Sequence, residues 1–365
     1  MLAVPALVVL LGACAAPGTA AAAQAAVGAA TVTPSVAGVT WHKINLLHGW
    51  KAASRLTFGT RAPSWAVSGG IVYLDGGLQA PATLGSLVFG VLPAPARPAR
   101  TQYINVIMGN NAPTTTYVTI APNGVMYLAG NVTALSFSSL NGISFPATAT
   151  ARHKLTLING WKSAQAAWNT GDPAYTVSGG VVYLSGSLSQ STAGGPVFAV
   201  LPKAIRPATV QYLPAYTFGG VIGRVQIYPD GLIFARFGQS RQFTSLAGVS
   251  YLLPTTALHK LTLIHGWKSG AVSTGSSNPA YSLTSGVVCL SGTTYPSTTS
   301  FYATFTTLPP AVRPRYNLFF YADINNAAGG VIGIEHAGPA FAVAMPLSNP
   351  VQMASLGSIC YPVNS

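Results

Sequence analysis

Three stretches spell nearly the same decapeptide: HKINLLHGWK from His42, HKLTLINGWK from His153 and HKLTLIHGWK from His259. The spacings, 111 residues from 42 to 153 and 106 from 153 to 259, suit one small domain per copy and are too long for a solenoid turn. Everything downstream keeps the same order. An aromatic residue after Pro-Ser or Pro-Ala (Trp65, Tyr175, Tyr281) leads into SGGIVYLDGGL, SGGVVYLSGSL and TSGVVCLSGTT. Then come LPAPARP, LPKAIRP and LPPAVRP, and last SLNGISF, SLAGVSY and SLGSICY. The chain therefore reads as three copies of one module, over residues 41–150, 151–257 and 258–365.

Within a copy the signals are those of short strands. In the second, Leu155-Thr156-Leu157-Ile158 reads as a strand stopping at the turn dipeptide Asn159-Gly160. Ala174–Val177 and Val181–Leu184 flank Ser178-Gly179-Gly180, and Val197–Leu201 and Val210–Phe218 follow. Val225–Tyr228 and Leu232–Ala235 flank Pro229-Asp230-Gly231, a strong hairpin signal whose counterpart in the first copy is Asn123-Gly124. The third copy has His336-Ala337-Gly338-Pro339 there. No stretch after residue 40 carries a sustained helical period with caps. About seven or eight short strands per module, with turns every ten residues or so, predict an all-β chain of three antiparallel β-sandwich or jelly-roll modules. The linkers are short, residues 147–152 and 254–258, so neighbouring modules are expected to touch.

The chain is 49% apolar and only 6% charged, so it is not of the disordered class. Its net charge of +13 arises from 18 Lys and Arg set against five acids: Asp75, Asp172, Asp230, Asp323 and Glu335. The basic residues sit singly or in loose pairs, without a basic run or a nucleic-acid motif, and no nucleic-acid partner is expected. The simplest reading of this balance is a merely acid-poor surface; the sharper one is a diffuse positive field that attracts anionic surfaces such as acidic wall polymers or lipid headgroups. The apolar run Leu2–Leu11 is too short to span a bilayer and reads as the core of a signal peptide over residues 1–20. Leu11-Gly12-Ala13-Cys14 resembles a lipobox, which would make Cys14 an acylated anchor and the only route to a membrane; cleavage after Gly18 is the alternative. Residues 21–40 form a flexible linker. Cys289 and Cys360 replace Tyr73/Tyr183 and Ser144/Ser250 of the other copies, both in the third module, which predicts a disulfide between them and an extracellular or envelope location.

Catalytic chemistry is not expected. A glycosidase needs two carboxylates across one bond, and none of the five acids recurs in all three copies. Asp230 and Asp172 are turn residues whose counterparts are Asn123 and Asn278. His42, His153 and His259 recur, with His48 and His265 after two of them, but Asn159 replaces the second His in the middle copy and no carboxylate is near, so neither a metal nor another cofactor is expected. The recurring Trp50, Trp161 and Trp267 read as packing anchors. Arg97, Arg206 and Arg313, between prolines, read as donors to carbonyls of the neighbouring turn; the sharper alternative makes them an anion site. Trp65 and Trp168, with Trp41, are the candidates for a variable binding surface.

The shared order of Asn/His-Gly-Trp, Gly-Val-Val-x-Leu-x-Gly, Leu-Pro-x-x-x-Arg-Pro and Ser-Leu-x-Gly-Ile/Val-Ser-Phe/Tyr resembles β-sandwich modules of phage tail and baseplate receptor-binding proteins, and of related secreted actinobacterial repeat proteins. The resemblance covers each repeat almost end to end. It implies an all-β head that binds a surface, often a glycan, as a trimer; it carries over no site residue. The expected function is that of an exported, non-catalytic surface-binding protein whose ligand is a cell-surface glycan or anionic wall polymer. The alternatives are a passive structural spacer of the envelope and a virion-type tail adhesin. The expected state is a monomer whose three modules pack about a pseudo-threefold axis.

Overall fold

A computed structural model describes residues 38–53, 58–109, 116–191, 194–297, 302–325, 329–345 and 349–365. The signal-peptide expectation, the lipobox with Cys14 and nearly all of the linker lie outside those residues.

The strand after each Ser-Gly turn organises its module. Ser64–Ser68 pairs with Ile71–Asp75, Ala174–Ser178 with Val181–Ser185, and Ala280–Thr284 with Val287–Ser291. The two residues joining each pair both have left-handed backbone: Gly69 and Gly70 at φ 54° and 76°, Gly179 and Gly180 at 56° and 76°, Ser285 and Gly286 at 51° and 77°. That is the two-residue turn whose twist matches a tight hairpin. Every residue of Ile71–Asp75, Val181–Ser185 and Val287–Ser291 is buried. Alternation explains it: Val72 and Leu74 pack in their own module's core, whereas Ile71 and Tyr73 pack outside it.

Each module is an antiparallel β-sandwich. In the first, one four-stranded sheet runs His42–Lys43, Ser64–Ser68, Ile71–Asp75, Ser144–Pro146, and another Val88–Val91, Val125–Ala129, Tyr117–Ile120, Gln102–Asn105. A three-stranded sheet of Phe137–Ser139, Gly77–Gln79 and Lys51–Ala52 closes one side. The second and third modules repeat all three orders. Inward residues of the sheets, among them Val72, Leu78, Phe89, Ile120 and Met126, form one core per module. Trp50, Trp161 and Trp267 are buried in these cores, and the indole N–H groups of Trp50 and Trp161 donate to Ser86 O and Gly195 O at 3.0 Å.

The LPxxxRP segments are single 3-10 turns, and Arg97, Arg206 and Arg313 each donate from Nε to the Leu carbonyl five residues back, at 3.0, 3.0 and 2.8 Å. Local structure departs from the sequence reading in two places. The strand expected at Leu155–Ile158 is His153–Lys154 instead; the chain then crosses between sheets, Leu155 N–H bonding to Pro173 O and Leu157 forming a lone bridge to Ala199. One-turn helices, Gln165–Trp168 and Ala271–Thr274, follow the recurring Trp in the second and third modules; their lack of caps and period hides them from sequence.

The modules meet in a closed ring, and corresponding residues make the contacts. The N–H groups of Thr101, Val210 and Asn317, four residues after the three arginines, donate to the carbonyls of Asn169, Gly275 and Gly59 at 3.1, 3.0 and 3.0 Å. Each acceptor has left-handed backbone in the next module round, so the order runs first to second to third to first. A repeated head-to-tail contact that closes leaves no unmatched face. Outward residues of the three organising strands, Ile71, Tyr73, Val181, Tyr183, Val287 and Cys289, share one buried cluster on the axis. There the hydroxyls of Tyr73 and Tyr183 hydrogen-bond at 2.6 Å. The third module has Cys289 at that position, and it forms a disulfide with Cys360, directly opposite it in the sheet with Cα atoms 4.1 Å apart.

Candidate functional site

The two ends of the ring differ. At one end each Ser-Gly turn receives the residue that follows its module's last strand: Ala147 N–H donates to Gly70 O at 2.9 Å, Leu253 N–H to Gly180 O at 2.8 Å, and Val363 N–H to Gly286 O at 2.9 Å. The chain also enters here, Gly38 lying against Asn364. Trp41, half-buried, packs on the axial cluster beneath the Arg61 guanidinium at 4.8 Å. Toward the other end the axis passes Asp75 and Asn141 and reaches a cavity of about 30 Å³ lined by Asn105, Pro214, Tyr216 and Tyr321 among others. That volume suits a water or two and nothing larger.

At the junctions, corresponding positions carry different chemistry. One pair of positions is Tyr117 and Tyr216 between the first and second modules, with rings 4.6 Å apart. Between the second and third it is Arg224 and Asp323, a two-pronged buried ion pair in which Nη2 lies 3.0 Å from Oδ1 and Nε contacts Oδ2. Between the third and first it is Val331 and Ile107, members of one apolar cluster. A second set behaves likewise. Tyr103, Trp168 and Phe243 pack together at the first junction, Tyr103 to Phe243 at 5.5 Å and Trp168 to Phe243 at 4.5 Å. Phe319, Phe58 and Phe137 do so at the third, Phe58 stacking on Phe137 at 4.1 Å. At the second junction these positions are Tyr212, Thr274 and Met353, and the Tyr212 hydroxyl donates to Thr274 O at 2.7 Å.

The nominated residues are therefore dispersed. Trp168 is half-buried in a junction, with Phe218 edge-on at 5.8 Å and 40% exposed beyond it. Trp65 is half-buried under His42, whose ring stacks on it at 4.4 Å; His153 and His259 stack on Tyr175 and Tyr281 at 5.0 Å. His48, Asn159 and His265 occupy the same left-handed turn position at φ 52°, 53° and 52°, which explains why Asn substitutes there. Arg97, Arg206 and Arg313 belong to three different modules and engage carbonyls. Among the described residues no three His, Cys, Asp or Glu converge, and no helix is long and apolar enough to cross a membrane.

The acids divide into two kinds. Asp230 accepts the Leu232 N–H at 3.0 Å, as Asn123 accepts that of Val125 at 3.1 Å. Asp172 pairs with Lys154 at 2.5 Å; hydrogen bonds from Lys154 and Ser163 hold its carboxyl below the usual range. Asp75 and Asp323 sit inside the ring, which sequence did not reveal. Asp75 accepts from Asn141 Nδ2 at 2.6 Å and lies 3.0 Å from Arg61 Nε. Burial nevertheless outweighs these partners and pushes its pKa up to about 6. Arg61 reaches across to the Asn364 carbonyl of the third module, and Asn141 Oδ1 accepts the Phe319 N–H at 3.0 Å, so this network clamps the third junction.

No protein-family model, curated protein or solved structure matches the chain.

Proposed function

We propose that the chain is an exported, non-catalytic binding head: three fused modules do in one chain what a trimeric head does in three, and its ligand is a cell-surface glycan or anionic wall polymer. The observation that carries this reading is the polarity of the ring. Residue 38 and the ends of all three modules gather at the Ser-Gly turn end, and the exposed phenylalanines, Phe218 at 40% and Phe237 at 46%, belong to strand ends away from those turns. Exposed aromatics among Ser, Gly and Thr suit adaptable recognition of sugar surfaces. The disulfide supports an oxidising, extracellular location. Four of the five acids, engaged as turn caps or ion pairs, support a non-catalytic role. The resemblance to receptor-binding modules of phage tails points the same way.

The experiment is co-sedimentation of the exported chain with isolated cell-wall material over a concentration series. Saturable retention that weakens in Phe218→Ser supports the head reading. Retention that rises linearly without saturation, or none at all, would return the passive-spacer alternative to first place.

A further inference from the structure

We propose that the outer edge of the second module carries a site for a carboxylate-bearing saccharide, centred on Arg236 and Phe237. The inference rests on the binding-head reading and narrows it to one module and one ligand chemistry.

Arg236 lies directly opposite Arg224 on the neighbouring strand. Like charges in that relation repel. Asp323 satisfies Arg224 with both oxygens. No carboxylate pairs with Arg236 among the described residues, and its buried Nε has no hydrogen-bond partner there. The counterparts of Arg236 in the other modules are Ala129 and Val343, so the fold does not need a cation at this position. The guanidinium is stacked 4.6 Å over Phe234, whose ring lies 5.2 Å from that of Tyr228, and Gln226 Nε2 donates to the Tyr228 hydroxyl at 2.8 Å.

Phe237 is the second, independent observation. Its φ is 64°, and the first module has Gly130 in the corresponding place at φ 99°. A bulky side chain in left-handed backbone is strained, and such strain concentrates at functional sites. Here the strain keeps a phenyl ring 46% exposed beside Arg224, 5.0 Å from that guanidinium. Arg236, stacked on Phe234 and without a carboxylate partner, is followed directly by the exposed Phe237 ring, and a cation next to an open aromatic face matches a sugar acid. The ring's C–H face stacks on the phenyl, and the planar carboxylate meets the planar guanidinium with two hydrogen bonds. A neutral glycan has the face without the anion, and a glycerol phosphate chain has the anion without the face.

The test is titration calorimetry of the exported chain with oligogalacturonate, with the same oligomer after carboxyl reduction, and with poly(glycerol phosphate). The expected result is binding of oligogalacturonate, with about tenfold or more lost for each of the other two. Arg236→Gln and Phe237→Gly should each lose a similar factor. Phe237→Gly should raise the melting temperature while lowering affinity, because it restores the residue suited to left-handed backbone; this separates a site from a fold defect. Lys51→Gln removes an exposed charge on the first module and should leave affinity unchanged. Equal binding of poly(glycerol phosphate), undiminished binding by Arg236→Gln, equal losses in Arg236→Gln and Lys51→Gln, or no binding of oligogalacturonate would each overturn the proposal. Saturable retention on wall material in any of these cases would leave the binding-head reading standing.

Discussion

Removing Asp323 should separate the second and third modules more effectively than removing the whole ion pair. The Arg224 and Asp323 side chains are 4% and 1% exposed, and the pair bridges the junction 99 residues apart in sequence. Asp323→Ala leaves a guanidinium buried without its counter-charge, which costs about 3–5 kcal/mol, whereas replacing a buried pair by apolar side chains of similar size is often neutral or stabilising. The ring supplies the replacement itself: the same two positions at the third junction are Val331 and Ile107, and that junction is apolar. Arg224→Val/Asp323→Ile should therefore lie within about 1 kcal/mol of wild type. Urea unfolding followed by tryptophan fluorescence measures both, Trp267 of the third module being a buried reporter. A single mutant less than about 1 kcal/mol destabilised, or a double mutant no better than the single, would refute the claim that this pair is a desolvated junction contact.

Three further outcomes are expected. Cys289→Ala/Cys360→Ala, closing no loop across the separation of 71 residues, should lose about 4 kcal/mol by the chain-entropy relation, read as a fall in urea midpoint; native-state alkylation of both thiols in wild type would contradict the cross-link. Tyr73→Phe orphans the Tyr183 hydroxyl on the axis and should cost about 1–3 kcal/mol, while Tyr73→Phe/Tyr183→Phe recovers most of it; equal losses in both would show that the hydroxyl pair is immaterial. Asp75 has a folded pKa of about 6, above its unfolded value of about 3.9, so the native state binds its proton more tightly and stability falls as pH rises from about 4 to 6. The stability of wild type relative to Asp75→Asn should drop by up to about 3 kcal/mol across that window and stay flat above it; a difference that rises with pH would reverse the sign.

Local signals made part of this legible. The arginines between prolines could be assigned to turn carbonyls because donor and acceptor are five residues apart, and Asp230 to its own turn because Asn replaces it in the first copy. The cysteines were legible because both replace a residue shared by the other two modules. The axis explains the substitution: two tyrosine hydroxyls meet there, and the third module has no Tyr at that position. The junction role of Trp168, by contrast, is not legible in the sequence. Its counterpart Phe58 emerges only after a one-residue offset between copies, and its partner Tyr103 belongs to another module. Arg224 and Asp323 carry no mark of pairing in a sequence that separates them by a whole module. The left-handed backbone of Phe237 is invisible from composition, since phenylalanine is among the last residues expected there.

Ring closure underlies both the polarity of the head and the site proposed on it, and small-angle scattering of the exported chain tests it most directly. Three touching modules predict a radius of gyration of about 20 Å, that of a compact particle of this length. Three modules strung in a line, each about 13 Å in radius of gyration, would give about 30 Å and a skewed, extended pair-distance distribution. The account predicts the smaller value and a symmetric distribution; the larger would show that the first and third modules do not touch and would contradict it.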